Sequence, residues 1–451
     1  MFDRAPDPLT RQDRLAAILL TIVVAATRLP AISRTLWDWD EALFALALRD
    51  YDVVAHHPHP PGFPLFIALA KALTALTPLD AFHALQCIAV CSSLFVFPAM
   101  FFLAREMRAP AFTARGAALL LAFFPNVWFF GGTAFSDVPS LVLALVAAAL
   151  LLRGCRSNGA LLLGAVVLGI AAGFRPQNLL IGFAPLLLAF FHRRRTAIAA
   201  AAIVALIVAF SYGAAAYFSG GWEVYRAALV KHERYIREVD SFLGSTRPNL
   251  IQVADDFFLR PYRAPLVNIV ITLLAMLGAL QLRKQAWLPL IVFGPFLLFA
   301  WLYLDFNSAS RFSIGYTPLY AMLAAYGIPT RWRLATLMAT VALLIFWTWP
   351  ALRIVHTTVS PPVAAFESIR EPGSKSIYVD ERLVPYAVLL LPESELHIVR
   401  VAPPLIDDPN AILVREGASL APGSRNFIRQ RERLDGIARK RYFEVAVVPG
   451  R

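Results

Sequence analysis

The stretch GFPLFIALAKALTALTP, residues 62–78, decides how the rest of the chain is laid out. It is apolar enough to be read as a membrane crossing. Counted as one, it reverses the side on which every later loop falls and splits the arginine-rich loops between both sides. Left out, it places all of them on one side. Its own residues suit a helix lying in the interface plane. Pro64 fits a first helical turn, and Lys71 and Thr74, three residues apart, share one face. The alternative is a short span whose Lys71 reaches to the headgroups.

The composition around this stretch belongs to a membrane protein. Of 451 residues, 58% are hydrophobic and 16% charged, and the mean hydropathy is +0.61. A soluble chain carries about a quarter charged residues. Apolar runs close to the ~20 residues that cross a bilayer recur at 14–30, 82–104, 112–130, 137–153, 159–174, 177–192, 196–218, 265–282, 286–304, 312–328 and 333–352. They predict a polytopic α-helical membrane protein of about eleven spans, since helices satisfy their own backbone in lipid.

With the N-terminus in the cytoplasm, Arg4, Arg11 and Arg14 lie there. So do Arg105, Arg108 and Arg115; Arg153 and Arg156; Arg193, Arg194 and Arg195; Arg283 and Lys284; and Arg331 and Arg333. This is the positive-inside pattern. It accounts for the net charge of +12 and pI of about 9.9 without a nucleic-acid partner. The run after MFDRAPDPLTRQDR lacks a small-x-small cleavage site and is read as a retained helix. Cys87, Cys91 and Cys155 lie in or beside apolar runs, without disulfide or zinc spacing.

The layout makes residues 1–353 a transmembrane domain, with outer loops at 31–81 and 219–264. Residues 354–451 are richer in charge and contain the strand-like runs KSIYVD, ELHIVR and YFEVAVVP. They predict a small extracytoplasmic α/β domain.

Candidate chemistry gathers in the first outer loop, WDWDEALFALALRDYDVVAHHPHPPGFPLF, residues 37–66. Asp40 and Glu41 open an apolar helix, where the dipole favours carboxylates. Asp38 and Glu41 have capping-box spacing, so Glu41 is divided between capping and chemistry. Asp40 lies outside that box. It suits a proton acceptor or an oxygen ligand for a cation. His56, His57 and His59 can bind metal or move protons, and the intervening prolines favour extended backbone. Asp137 in FSDVPS combines a helix start with an outer position. Arg175 and Arg311 are outer arginines that orientation does not require, and arginine suits phosphate. Lys231, His232, Glu233 and Arg234 read as a solvated helix face.

Here the sequence resembles the GT-C superfamily of membrane glycosyltransferases. It is most similar to the branch containing protein O-mannosyltransferases and the aminoarabinose transferase of lipid A. The resemblance rests on the Asp40-Glu41 pair, HPHPPGFPLF in place of a His-Pro-Pro-Leu segment, SDVP with Asp137, and RFSIGYTPLYAMLAAYG with Arg311. It covers residues 10–350. It implies an inverting transfer of a hexosyl or pentosyl group from a polyprenyl-phosphate donor to a glycan, lipid or protein acceptor. The implied location is the outer face of a membrane, the bacterial inner membrane by family flavour.

By position, Asp40 is the implied base, and Glu41 its assistant or a metal ligand. His59, or His57 given the extra His-Pro, is a substrate or metal contact. The resemblance implies that Arg311 and Arg175 bind donor phosphate and that Asp137 is a further substrate-binding residue. A divalent cation (Mg2+, Mn2+ or Zn2+) is a candidate cofactor. Gly62 and Phe63 depart from the family pattern. A transporter or lipid flippase is the competing class. The absence of an internal repeat and the gathering of ionisable residues at one face favour surface chemistry.

Overall fold

The computed structural model describes residues 5–259, 261, 264–282, 287–370, 376–392, 394–400, 406–429, 437 and 444–450. Among them, five helical segments are long and apolar enough to cross a membrane: Arg11–Ala31, Asp137–Gly154, Arg194–Phe218, Pro265–Leu282 and Thr330–Glu367. Four shorter apolar helices, Ala111–Phe123, Asn158–Phe174, Pro176–His192 and Trp287–Tyr303, stand where further spans are expected.

Three of the expected runs are not single helices. Residues 82–104 break at Phe95, between helices Ala81–Leu94 and Val96–Glu106. Residues 112–130 break at Phe124, because the following Pro125 disfavours helical backbone in the residue before it. Residues 312–328 divide into Ala309–Phe312 and Thr317–Gly327. Hydropathy averages over such breaks, so the sequence joins what the backbone separates.

The deciding stretch forms helix Pro64–Leu76 and turns through 115° into Ala81–Leu94. Asp80 caps the second helix by accepting from the His83 amide at 2.9 Å. The helix thus does not continue the direction of its successor.

Burial separates the middle of the bundle from its rim. Asp137–Gly154 is apolar all round and buried on most of its surface, as a central helix must be. Arg194–Phe218 instead exposes Leu206, Phe210 and Tyr217, a lipid-facing surface. Helices Pro265–Leu282 and Thr317–Gly327 touch backbone to backbone. A Cβ on Gly278 would lie 1.8 Å from the Leu323 carbonyl oxygen, and one on Gly327 equally close to that of Leu274. Small residues permit this approach where lipid supplies no hydrophobic drive.

The arginine-rich loops meet at one end. Arg105 Nη2 donates to the Asp7 carbonyl at 2.5 Å and Arg108 Nη1 to that of Ala5 at 2.6 Å. Arg115 pairs with Asp13, Arg156 with Glu106, and Arg193 Nε donates to the Cys155 carbonyl. Arg4, Arg283 and Lys284 lie outside the described residues. Helix Asp137–Gly154 reaches this end at Arg153, so Asp137 lies about 25 Å away at the other end, at 1.5 Å per residue.

Beyond helix Arg333–Thr357, the chain forms a five-stranded sheet. Its strands are β1 Ser376–Asp380, β2 Leu396–Val399, β3 Ala411–Glu416, β4 Arg425–Ile428 and β5 Glu444–Pro449, in the order β2-β1-β3-β5-β4. The first three run parallel, and β5 pairs antiparallel with β3 and β4. β1, β2 and β5 match the expected runs, while β3 and β4 are additional. Helix Val384–Leu390, between β1 and β2, packs against helix Trp39–Arg49 of the first loop. Tyr386, Val414 and Val445 belong to the same continuous core as the membrane helices.

Candidate active site

Asp38 caps helix Trp39–Arg49 and accepts from the Asp40 amide at 3.0 Å. This holds Asp40 in the first turn. Glu41 completes the capping box and does more. Its Oε2 accepts from the amides of Trp37 at 2.6 Å and Asp38 at 3.0 Å, and its Oε1 accepts from the Ala134 amide at 2.8 Å. The side chain is fully buried, and that burial pushes its pKa up to about 7.

Asp137 opens helix Asp137–Gly154, beside the C-terminal end of Asn158–Phe174, where Arg175 follows. Arg175 Nη2 donates to Asp137 Oδ2 at 2.7 Å, and its Nε donates to Ser136 Oγ at 2.9 Å. Arg311, from the short helix Ala309–Phe312, donates through Nε to the same Asp137 oxygen at 3.1 Å and through Nη1 to Asp40. One guanidinium thus joins two carboxylates that are 97 residues apart in sequence. Its fork geometry makes this possible.

Burial works against the charge on Arg311, but Asp137 and Asp40 outweigh it and hold the pKa above its ordinary value. Burial lowers Arg175 to about 10, with Asp137 opposing, so it too stays charged. Arg311 lies 4.1 Å from the Phe135 ring centroid and Arg175 lies 5.4 Å from that of Phe63. These rings cover the cations on sides that carboxylates leave open.

His59 joins the group. Its Nδ1 is 3.8 Å from Asp40 Oδ1, too far for a hydrogen bond, and its ring sits against Phe44 and Phe63. Burial pushes its pKa down to about 3, so the ring is neutral.

The expected extended HHPHPP segment is instead a compact turn. Asp52 and His57 exchange backbone hydrogen bonds at 2.7 Å, while His56, Gly62 and Phe63 take positive φ. Those three residues reverse the chain although prolines restrict their neighbours. The turn carries His57 away from the cluster toward Asp50 and Asp52, whose charges act on it. It therefore stands outside the group that Asp40, His59, Asp137, Arg175 and Arg311 form.

The donor set does not suit a resident cation. Both Glu41 oxygens serve backbone amides, and Asp40 and Asp137 face arginines. Among the described residues, no group of three or more His, Cys, Asp or Glu stands together as a ligand set.

Several neighbours escaped the sequence reading. Phe135 and Phe63 cover the arginines, and Ser136 holds Arg175; nothing in apolar or small residues marks such roles. His232 belongs to the expected solvated face, yet its ring lies 6.5 Å from that of His59. Asn126 did carry a signal, as a lone amide in FFPNVWFF. Its Nδ2 reaches the Ser310 carbonyl, Ser313 Oγ and Thr317 Oγ1 at 3.0–3.1 Å, beside Arg311.

A small cleft opens on the arginine side. Asp137, Arg175, Gln177 and Arg311 give it polar walls, while Phe296 and Phe312 give it apolar ones. The arrangement suits a group that is anionic at one end and apolar at the other.

No family model matches this chain, and no curated protein matches it in sequence. Its fold is similar to that of ArnT from Cupriavidus metallidurans in the apo state, at 13% identity and a TM-score of 0.59. That match covers 96% of this chain and 98% of the other. ArnT bound to undecaprenyl phosphate matches at 12% identity and a TM-score of 0.54, covering 96% and 97%. The oligosaccharyltransferase of Archaeoglobus fulgidus matches at 11% and 0.54, covering 89% and 69%. These solved structures are GT-C glycosyltransferases, as the sequence resemblance anticipates. At such identities, the likeness is one of fold.

Proposed function

We propose that this chain is an inverting membrane glycosyltransferase that moves a sugar from a polyprenyl-phosphate donor to an acceptor hydroxyl. The observation that carries this reading is Arg311, which joins Asp40 to Asp137 beside Arg175 at a cleft with both polar and apolar walls. A phosphate suits the two guanidiniums, and a polyprenyl chain suits the apolar wall. The neighbour carrying undecaprenyl phosphate supports a lipid carrier of this class.

Asp40 accepts the proton as the acceptor oxygen bonds to the anomeric carbon. The bond from that carbon to the phosphate oxygen breaks, and its electron pair leaves with the phosphate. Arg175 and Arg311 stabilise the charge where it develops. Attack opposite the leaving phosphate inverts the anomeric centre. Neutral His59 borders Asp40 and lines the acceptor's approach. The C-terminal sheet domain contacts the helix bearing Asp40, which favours a role on the acceptor side.

The reading places the site on the extracytoplasmic face of a bacterial inner membrane, with the N-terminus in the cytoplasm. The gathering of arginine loops at the opposite end supports that orientation. Hexosyl and pentosyl donors, and glycan, lipid or protein acceptors, all fall within it.

The test is reconstitution with purified polyprenyl-phosphate sugars. Wild-type protein is expected to release polyprenyl phosphate as acceptor becomes glycosylated. Asp40→Asn is expected to lower that rate by about 10²–10⁴-fold while leaving the protein folded. A wild-type rate in that variant would remove Asp40 from the chemistry. Translocation of the intact donor without glycosidic cleavage would favour the flippase class instead.

A further inference from the structure

The segment from Pro125 to Asp137 touches both flanks of the site. On one flank, its Ala134 amide donates to Glu41 Oε1, while Glu41 Oε2 holds the Trp37 and Asp38 amides just ahead of Asp40. Gln86 ties the same seam, with its Nε2 donating to the carbonyls of Ser33 at 2.7 Å and Gly132 at 3.0 Å. Ser33 N in turn donates to the Gly132 carbonyl at 2.8 Å. The two strands of chain approach so closely that a Cβ on Gly132 would lie 2.1 Å from the Ala31 carbonyl oxygen.

On the other flank, Asn126 Nδ2 reaches Ser310, Ser313 and Thr317, which bracket Arg311. Asn126 Oδ1 accepts from the Val127 amide at 2.9 Å. Glu41 and Asn126 are both fully buried. The segment ends on Asp137 itself. It therefore acts as a frame with Asp137 at its end, Asp40 registered through Glu41, and Arg311 registered through Asn126.

We infer that Glu41 and Asn126 are positioning residues, which set the placement of Asp40 and Arg311 against Asp137. This assigns Glu41 neither a proton-transfer role nor a ligand role, and it rests on the proposed sugar transfer. The two residues serve different parts of the reaction. Glu41 places the base, so its loss falls on the chemical step. Asn126 places a phosphate-binding arginine, so its loss falls on the donor.

The experiment is steady-state kinetics of the full chain in lipid vesicles, varying a polyprenyl-phosphate sugar that wild-type protein turns over. Glu41→Gln puts an amide N–H₂ against a backbone N–H. It is expected to lower kcat by about 100-fold, the cost of a displacement near 1 Å, with the donor KM little changed. Asn126→Ala is expected to raise the donor KM more than it lowers kcat. Where either variant fails to fold, Gln86→Ala and Ser313→Ala weaken the same two seams and are expected to show the same division with smaller size. Wild-type kinetics, or equal changes of kcat and KM on both flanks, would overturn the assignment. Asp40→Asn in the same assay separates the two ideas. Its full activity removes Asp40 as the base and with it the positioning role of Glu41, whereas its inactivity without the division sinks only the positioning roles. Wild-type protein that releases no polyprenyl phosphate sinks the sugar-transfer reading.

Discussion

Arginine meets carboxylate at both ends of this molecule, with different results. At the basic end, Arg115 and Asp13 pair with about a fifth of each side chain exposed, and Arg156 pairs with Glu106. Arg105 and Arg108 there serve backbone carbonyls. At the other end, Arg175 and Arg311 share Asp137, and Arg311 also holds Asp40, with both arginines at least nine-tenths buried. Phe63 and Phe135 cover them where water would otherwise screen. The first arrangement ties helix ends together. The second concentrates charge in a low-dielectric cleft, where electrostatic contacts are felt strongly. Sharing of one acid by two arginines distinguishes the two ends, since the residue types are the same.

Arg311→Lys breaks the contrast most directly. An ammonium cannot reproduce a planar fork that spans two carboxylates. Transfer measured as kcat/KM is expected to fall by about 100-fold, a loss of the size seen when one electrostatic contact to a developing charge is removed. Unchanged kcat/KM would show that a single point charge suffices.

A smaller effect tests the buried acid beside the cluster. Glu41 has its pKa raised from 4.5 to about 7. The folded state therefore binds its proton more tightly than the unfolded state. The resulting stability is fully present below pH 4.5 and is lost as pH rises through 7, with an upper size of about 3 kcal/mol. Thermal unfolding in detergent at pH 5 and pH 8 checks this. Glu41→Gln is expected to remove that part of the pH difference. An equal pH difference in the variant would show that another group titrates.

The smallest effect belongs to the basic end. Arg115→Ala is expected to leave transfer rates within about twofold, because partly exposed pairs contribute little. A large loss of activity there would erase the functional distinction between the two ends.

Much of the site was legible because its charged members are costly in this setting. Asp40, Asp137, Arg175 and Arg311 each stand out against an apolar background, and the structure brings all four together with His59. His57 was not separable from His59 by spacing. The turn through His56, Gly62 and Phe63, which takes one ring inward and the other away, is backbone geometry that proline content does not dictate. Glu41 was legible as a cap through its spacing from Asp38, but its third bond, to the Ala134 amide, spans 93 residues. His232 looked solvated because helical periodicity does not show what packs across from it.

Composition and charge order determined the helical membrane class and the sorting of basic loops to one end, since both follow from the cost of placing charge and bare backbone in lipid. Local spacing likewise determined the cap at Asp38. Only the tertiary structure decided that Arg311 bridges Asp40 and Asp137, that phenylalanines cover the arginines, and that helix Val384–Leu390 of the C-terminal domain packs on the helix bearing Asp40. Those contacts join residues far apart in sequence. No local propensity encodes them, because they arise only when helix ends meet and exclude water together.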